Sequence, residues 1–273
     1  MRYSLQYILE RRYDPSRSAE RKMSERFVIL NASLKILSPY PAYTFLNMGI
    51  TADAVTYTSI FFIICSAGFF LTGLPTAGIL MLLLFLLLDS VDGDMARVSG
   101  PSKYGGTLDS LGADFFYGLI PLSLGYFLLQ NQITLWVFTS AFLFLCAALV
   151  SIVFIIARII NIKTLRVLVG NNATLEEVKD TAFADKKSTR ARFLSRMSAM
   201  YRHVLIRGNF FSEPGMTFWF SFFVLAGLYK ALGAYLIVSL GYGAGLLVIN
   251  LTKIYFVFRS LSRQMSKSNS ALV

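Results

Sequence analysis

Residues 79–114 read ILMLLLFLLLDSVDGDMARVSGPSKYGGTLDSLGAD, and this stretch decides the reading of the whole chain. An apolar run from Ile79 to Leu88 ends abruptly in acid, with Asp89, Asp92 and Asp94 close together. Asp109 and Asp114 follow a loop, 98–107, that contains Gly, Ser and Pro. These five are the only acids between residues 54 and 175. A carboxylate beside hydrocarbon is costly unless it is paired, metal-bound or facing a polar cavity. The pattern predicts a helix–loop–helix hairpin. Asp89, Asp92 and Asp94 fall at the end of one helix, Asp109 and Asp114 in the first turns of the next, so the acids meet at one membrane face.

The surrounding sequence supports a membrane setting. A span needs about 20 mostly apolar residues, and six segments qualify: 54–73, 76–97, 108–130, 133–160, 214–232 and 234–258. The 273 residues are 55% hydrophobic and 15% charged, with a mean hydropathy of +0.59; charged residues make up about a quarter of an ordinary soluble domain. Residues 26–38 place Phe27, Leu30, Leu34 and Leu37 on one side at helical spacing, which predicts an amphipathic helix on the membrane surface. The expected fold is an all-α integral membrane protein with six transmembrane helices plus that N-terminal amphipathic surface helix. Its parts are a cytoplasmic N-terminal segment, 1–45, a six-span domain, 46–260, with a cytoplasmic insert at about 161–210, and a cytoplasmic tail, 261–273. No secretory signal peptide is expected, because residues 1–26 are polar and mostly basic.

Loop charge sets the orientation. The connections 71–76 and 130–134 hold no Lys or Arg, and the turn near 233 has only Lys230. The other side carries the basic N-terminus, Lys103, the region 158–209, and Arg259, Arg263 and Lys267. The positive-inside rule then puts both termini and the acidic hairpin in the cytoplasm, and a prokaryotic cytoplasmic membrane is expected. The insert contains Thr174-Leu-Glu-Glu177, a capping box, and a basic amphipathic stretch from Lys186 to Arg207. The formal charge of +11 is read as topology and lipid headgroup contact rather than nucleic acid. Cys65 and Cys146 sit in apolar runs and are expected to pack, and the single His203 rules out a histidine-rich metal site. Gly241-x-x-x-Gly245 in the last span is read as a helix-packing face.

The hairpin carries chemistry. Asp89 and Asp92 are three apart and share a helix face. Gly93 and Ala96 are small enough to let another group approach the backbone, and Arg97 offers a fork of donors suited to phosphate oxygens. Carboxylates converging without histidine or thiolate suit a hard divalent ion, Mg²⁺ or Mn²⁺. Two such ions about 4 Å apart can stabilise attacking and leaving oxygens together. Asp94 is read as a solvated charge at the helix end.

Asp89-x-x-Asp92-Gly93-x-x-Ala96-Arg97, seven residues, Gly105-x-x-x-Asp109 resembles the signature of the CDP-alcohol phosphotransferase family. Residues 50–56, Ile50-Thr51-Ala52-Asp53-Ala54-Val55-Thr56, are similar to that family's entry into its first span. The resemblance implies an enzyme of phospholipid synthesis that transfers a phosphatidyl or other phospho-alcohol group from a CDP-linked donor, CDP-diacylglycerol favoured, to an alcohol acceptor, releasing CMP. It implies that Asp89, Asp92 and Asp109 hold a metal pair, with Asp114 a further ligand. Gly93, Ala96 and Arg97 would line the nucleotide pocket, with Gly105 and Thr56 nearby. Asp114 would be the general base, and a homodimer is expected.

One departure stands out. The family's fourth aspartate falls at position 113, where this chain has Ala113, with Asp114 beside it. One residue turns a helical side chain by about 100°, and a local π-bulge would swing Asp114 back. Two other readings stay open: a non-catalytic relative that binds nucleotide or lipid, and a cation transporter using the acids as an ion path. Ion paths place their acids near mid-span, whereas these cluster at one face.

Overall fold

The computed structural model describes residues 3–12, 29–100, 104–170 and 210–270. The capping box at Thr174, the basic stretch from Lys186 to Arg207 and His203 lie outside the described residues. The described chain is helical: α1 Leu5–Arg12, α2 Ile29–Leu37, α3 Pro39–Asn47, α4 Ala52–Leu71, α5 Pro75–Ser99, α6 Gly105–Gln130, α7 Ser140–Gly170, α8 Glu213–Leu225 and α9 Tyr229–Ser270. Among the described residues there is no strand, only an isolated bridge between Leu135 and Phe138.

Local sequence sets the helix boundaries. Thr51 caps α4, its hydroxyl accepting from the Ala54 N–H at 3.3 Å, and Asp53 in the first turn suits the positive end of the helix dipole. Pro75 opens α5, where its missing N–H costs nothing. Gly100 ends that helix at φ +92°, a conformation that favours glycine. Ser212 caps α8 by accepting from Gly215 N–H.

Five helices are long and apolar enough to cross a membrane: α4, α5, α6, α7 over Ser140–Asn161 and α9 over Tyr229–Thr252. The chain is an integral membrane protein with five such spans among the described residues, one fewer than expected. The expected span over 214–232 is divided. Helix α8 has 13 residues, about 20 Å of rise, short of the roughly 30 Å hydrocarbon core. Gly227 takes φ +68°, and Tyr229 to Leu232 become the first turn of α9. Apolar content continues through the break, so hydropathy does not register it. The span expected from residue 133 starts at Ser140, because the bridged turn at Leu135 and Phe138 precedes it.

The N-terminal expectation also changes. A helix does form at Ile29–Leu37, but Leu34 is buried in the main core while Ile36 and Leu37 are exposed. Helix α1 was not expected in a segment read as polar. Its Ile8 is buried with Ala42, Leu46, Val55, Val91 and Met95, and Asn47 holds Tyr3 through its backbone, accepting from the N–H at 3.2 Å and donating to the C=O at 3.3 Å.

Small residues let the helices approach one another. Phe70 of α4 lies over Gly78 of α5, where a methyl would meet the ring at 2.6 Å. Ser66 donates to the Gly78 carbonyl at 2.7 Å. Helices α7 and α9 meet at Gly243, where a Cβ would lie 2.9 Å from Phe154, and Asn250 donates to the Ala157 carbonyl at 3.0 Å. The close approach expected of Gly241 is therefore made by Gly243; a Cβ at Gly241 would meet nothing within 4 Å. Cys146 is buried and Cys65 half-buried, both as free thiols.

Helices α6 and α7 cross where Gly125 faces Ala147, and a Cβ at Gly125 would collide with the Ala147 methyl. Alanine normally gains about 1 kcal/mol over glycine inside a helix. Overpacking at this contact costs about 1–3 kcal/mol, so Gly125→Ala is expected to lower the thermal unfolding temperature. Adding Ala147→Gly removes the collision and should restore most of the loss.

Candidate functional site

The start of α4, the end of α5 and the start of α6 lie at one end of the bundle, and they supply the acidic site. Asp89 and Asp92 are one turn apart on α5, and Asp109 is in the second turn of α6. One carboxylate oxygen from each lies within 4.8 Å of the others. Asp92 is buried, Asp89 half-buried and Asp109 exposed. From α4, the Thr56 hydroxyl donates to Asp92 Oδ2 at 2.7 Å. Three helices therefore fix one carboxylate cluster.

A cavity of about 200 Å³ opens beside it, lined by Ala52, Asp53, Thr56, Asp92, Gly93, Ala96, Gly105, Gly106 and Asp109. Its volume comes from missing side chains. A Cβ on Gly106 would meet nothing within 4 Å, and one on Gly93 only the Arg97 guanidinium, at 3.5–3.9 Å. The sequence-predicted Thr56, Asp92, Gly93, Ala96, Gly105 and Asp109 all line this cavity. Arg97 does not belong to that lining; its guanidinium lies over Gly93, just outside.

Asp94 is not the solvated charge expected. It is 2% exposed, bonded to Ser38 at 2.6 Å and ion-paired with Arg97 at 2.5 Å. Helix periodicity turns it inward, away from Asp89 and Asp92 and toward the junction of α2 and α3.

Asp114 stands outside the group of three. Helix α6 is regular α-helix from Gly105 to Gln130, so no π-bulge absorbs the one-residue offset. Its carboxylate instead accepts from Arg158 Nε of α7 at 2.8 Å. The same guanidinium donates to the Ser110 carbonyl at 3.2 Å, stands 4.0 Å from Glu213 of α8 and lies over the Tyr117 ring at 5.6 Å.

Arg158 and Glu213 were not singled out from the sequence. The signal was present: each is a charge bordering a long apolar run, the same cost that marked the aspartates. Glu213 lies within electrostatic reach of Asp89, Asp109 and Asp114. Arg158 thus stands between two acids, paired with Asp114 of α6 and 4.0 Å from Glu213 of α8.

The fold and site define a polytopic helical membrane protein with a carboxylate-lined cavity at one end of its bundle. A family model for CDP-alcohol phosphatidyltransferase matches residues 49–208, more than half of the 273 residues. The chain belongs to the CDP-alcohol phosphatidyltransferase family, transferases of phospholipid synthesis that move a phospho-alcohol group from a CDP-linked donor to an alcohol acceptor. No curated protein and no solved structure matches it significantly.

Both partners of the Thr56–Asp92 hydrogen bond are buried, at 5% exposure each. Thr56→Val leaves the carboxylate without this donor and is expected to cost about 1.5–3 kcal/mol, the range for a hydrogen bond to a charged group. Thr56→Ser keeps the hydroxyl and should recover most of it, as read by thermal unfolding in lipid nanodiscs.

Proposed function

We propose that this chain transfers a phosphatidyl group from CDP-diacylglycerol to an alcohol acceptor, releasing CMP, with a divalent metal pair as cofactor. The observation that carries the reading is the convergence of Asp89, Asp92 and Asp109 oxygens within 4.8 Å of one another. The donor set fits a hard cation: it is all oxygen, without nitrogen or sulfur, and its like charges repel until neutralised. Asp89, Asp92 and Asp109 would hold Mg²⁺ or Mn²⁺. When bound, the metal neutralises pyrophosphate charge and eases the departure of CMP.

The other roles belong to the chain. Gly93, Ala96 and Gly105 leave room for the nucleotide to approach the backbone. Thr56 orients Asp92. Arg97, with its planar fork of donors, binds phosphate oxygens. Asp114, held by Arg158, takes the acceptor hydroxyl proton as that oxygen attacks phosphorus in line. The bond from phosphorus to CMP breaks, and CMP leaves with its electron pair. Positioning and charge neutralisation supply most of the rate. The basic loops support a cytoplasmic site, and a homodimer completes the proposal.

One observation favours a second reading. Asp114 is a residue out of register and tied to Arg158, which suits a relative that binds nucleotide without turning it over. Purified chain in nanodiscs with Mn²⁺, CDP-diacylglycerol and a panel of alcohols separates the two. Release of CMP is expected. Binding of CDP with no release from any donor would favour the second reading.

Two variants sharpen the assignment. Asp114→Asn should abolish turnover while leaving CDP affinity nearly unchanged; retained activity would remove Asp114 as the base. Gly93→Ala adds a methyl that the protein accommodates at 3.5 Å from Arg97, so stability should hold or rise by up to about 1 kcal/mol. The same methyl projects at the cavity wall, and CDP binding should weaken.

A further inference from the structure

We infer that Asp94 is a positioning residue for the nucleotide site, holding the Arg97 guanidinium over Gly93 while Ser38 anchors the carboxylate from the N-terminal helices. The inference rests on the proposed function, since it assigns Arg97 to the donor's phosphate oxygens.

The geometry divides the carboxylate in two. Oδ2 accepts from Ser38 Oγ at 2.6 Å, and Oδ1 accepts from Arg97 at 2.5 Å. Ser38 is fully buried at the junction of α2 and α3. Asp94 is 2% exposed and forms no part of the cavity lining, so it reaches a ligand only through its neighbours. One of those neighbours is Arg97, which keeps 29% side-chain exposure. Its outer nitrogen lies 3.5 Å from the point where a Gly93 Cβ would project, and Gly93 lines the cavity.

A buried carboxylate is tolerated when it is paired and hydrogen-bonded. Asp94 meets both conditions, and the bond to Ser38 fixes the plane in which it holds the guanidinium. An unrestrained arginine loses rotamer entropy when it is immobilised. Here folding has already taken much of that loss, which is preorganisation of the binding group. The second consequence is reach: a residue on the α2–α3 junction helps to set the position of a cation beside the cavity.

A purely structural role would clamp α2 and α3 to α5 without affecting the nucleotide, and a mutant cycle distinguishes the two. The full chain in nanodiscs is titrated with CDP in the presence of Mn²⁺, with thermal unfolding measured alongside. Asp94→Asn keeps an acceptor for Ser38 and removes the charge that holds Arg97. It is expected to raise the Kd for CDP about tenfold, equivalent to ~1.4 kcal/mol. Arg97→Gln should raise it at least as much, and the double variant should bind no more weakly than Arg97→Gln alone. Factors that multiply in the double variant overturn the inference, as does a lowered unfolding temperature with unchanged CDP affinity, or an Arg97→Gln variant that binds like wild type. If Asp94→Asn does not fold, the cycle is run with Ser38→Ala. A loss of affinity that vanishes in the Arg97→Gln background supports the inference; unchanged affinity overturns it. A wild-type chain that does not bind CDP overturns the proposed function and the inference together, whereas wild-type binding with an unaffected Asp94→Asn overturns the inference alone.

Discussion

Mutual repulsion among Asp89, Asp92 and Asp109, held with oxygens within 4.8 Å at the end of an apolar bundle, is the constraint on which the rest of the structure depends. Like charges this close are unfavourable, and nearby hydrocarbon makes them more so. Something must hold them together against that force. Part of the answer is the scaffold. Helices α4, α5 and α6 each contribute to the cluster, and Thr56 donates across the gap to the most buried of the three acids. The rest of the answer, under the proposed function, is a hard cation. That cation, once bound, would supply the positive charge that a pyrophosphate needs beside these carboxylates.

The scaffold can do this because its helices approach closely elsewhere. Phe70 covers Gly78, Gly125 abuts Ala147, and Gly243 receives Phe154. These contacts lie along the bundle rather than at the site, and they leave the glycines around the cavity unfilled. Glycine therefore serves two ends here. In the bundle its missing Cβ is occupied by a neighbour; at Gly93 and Gly106 it is left as cavity volume.

The acids sort themselves by helix phase. Asp89 and Asp92 share a face that meets Asp109. Asp94, two residues on from Asp92, turns to Ser38 and Arg97 and joins α5 to the N-terminal helices. Asp114, five residues on from Asp109, leaves the cluster for Arg158, which in turn stands near Glu213. The shared face of Asp89 and Asp92 was legible from their spacing, as was the hairpin that brings Asp109 to them. The distant partners of Asp94 and Asp114 were not, because Ser38 and Arg158 lie 56 and 44 residues away in the chain. Nor was the division of the 214–232 run. Hydropathy sums apolar content, whereas Gly227 breaks the helix through one backbone angle.

Local chemistry in the sequence determined that the chain is helical, that it enters a membrane, and that five acids gather at one end of a hairpin. Those conclusions rest on solvent preference and helical period, which act over a few residues at a time. The tertiary structure alone decided which acids face one another, which are neutralised by arginine, and where the cavity opens. Those outcomes depend on the packing of residues far apart in the chain. At Asp114 the two levels diverge: its place beside the motif is a matter of sequence, but its salt bridge to Arg158 is a matter of how α6 meets α7.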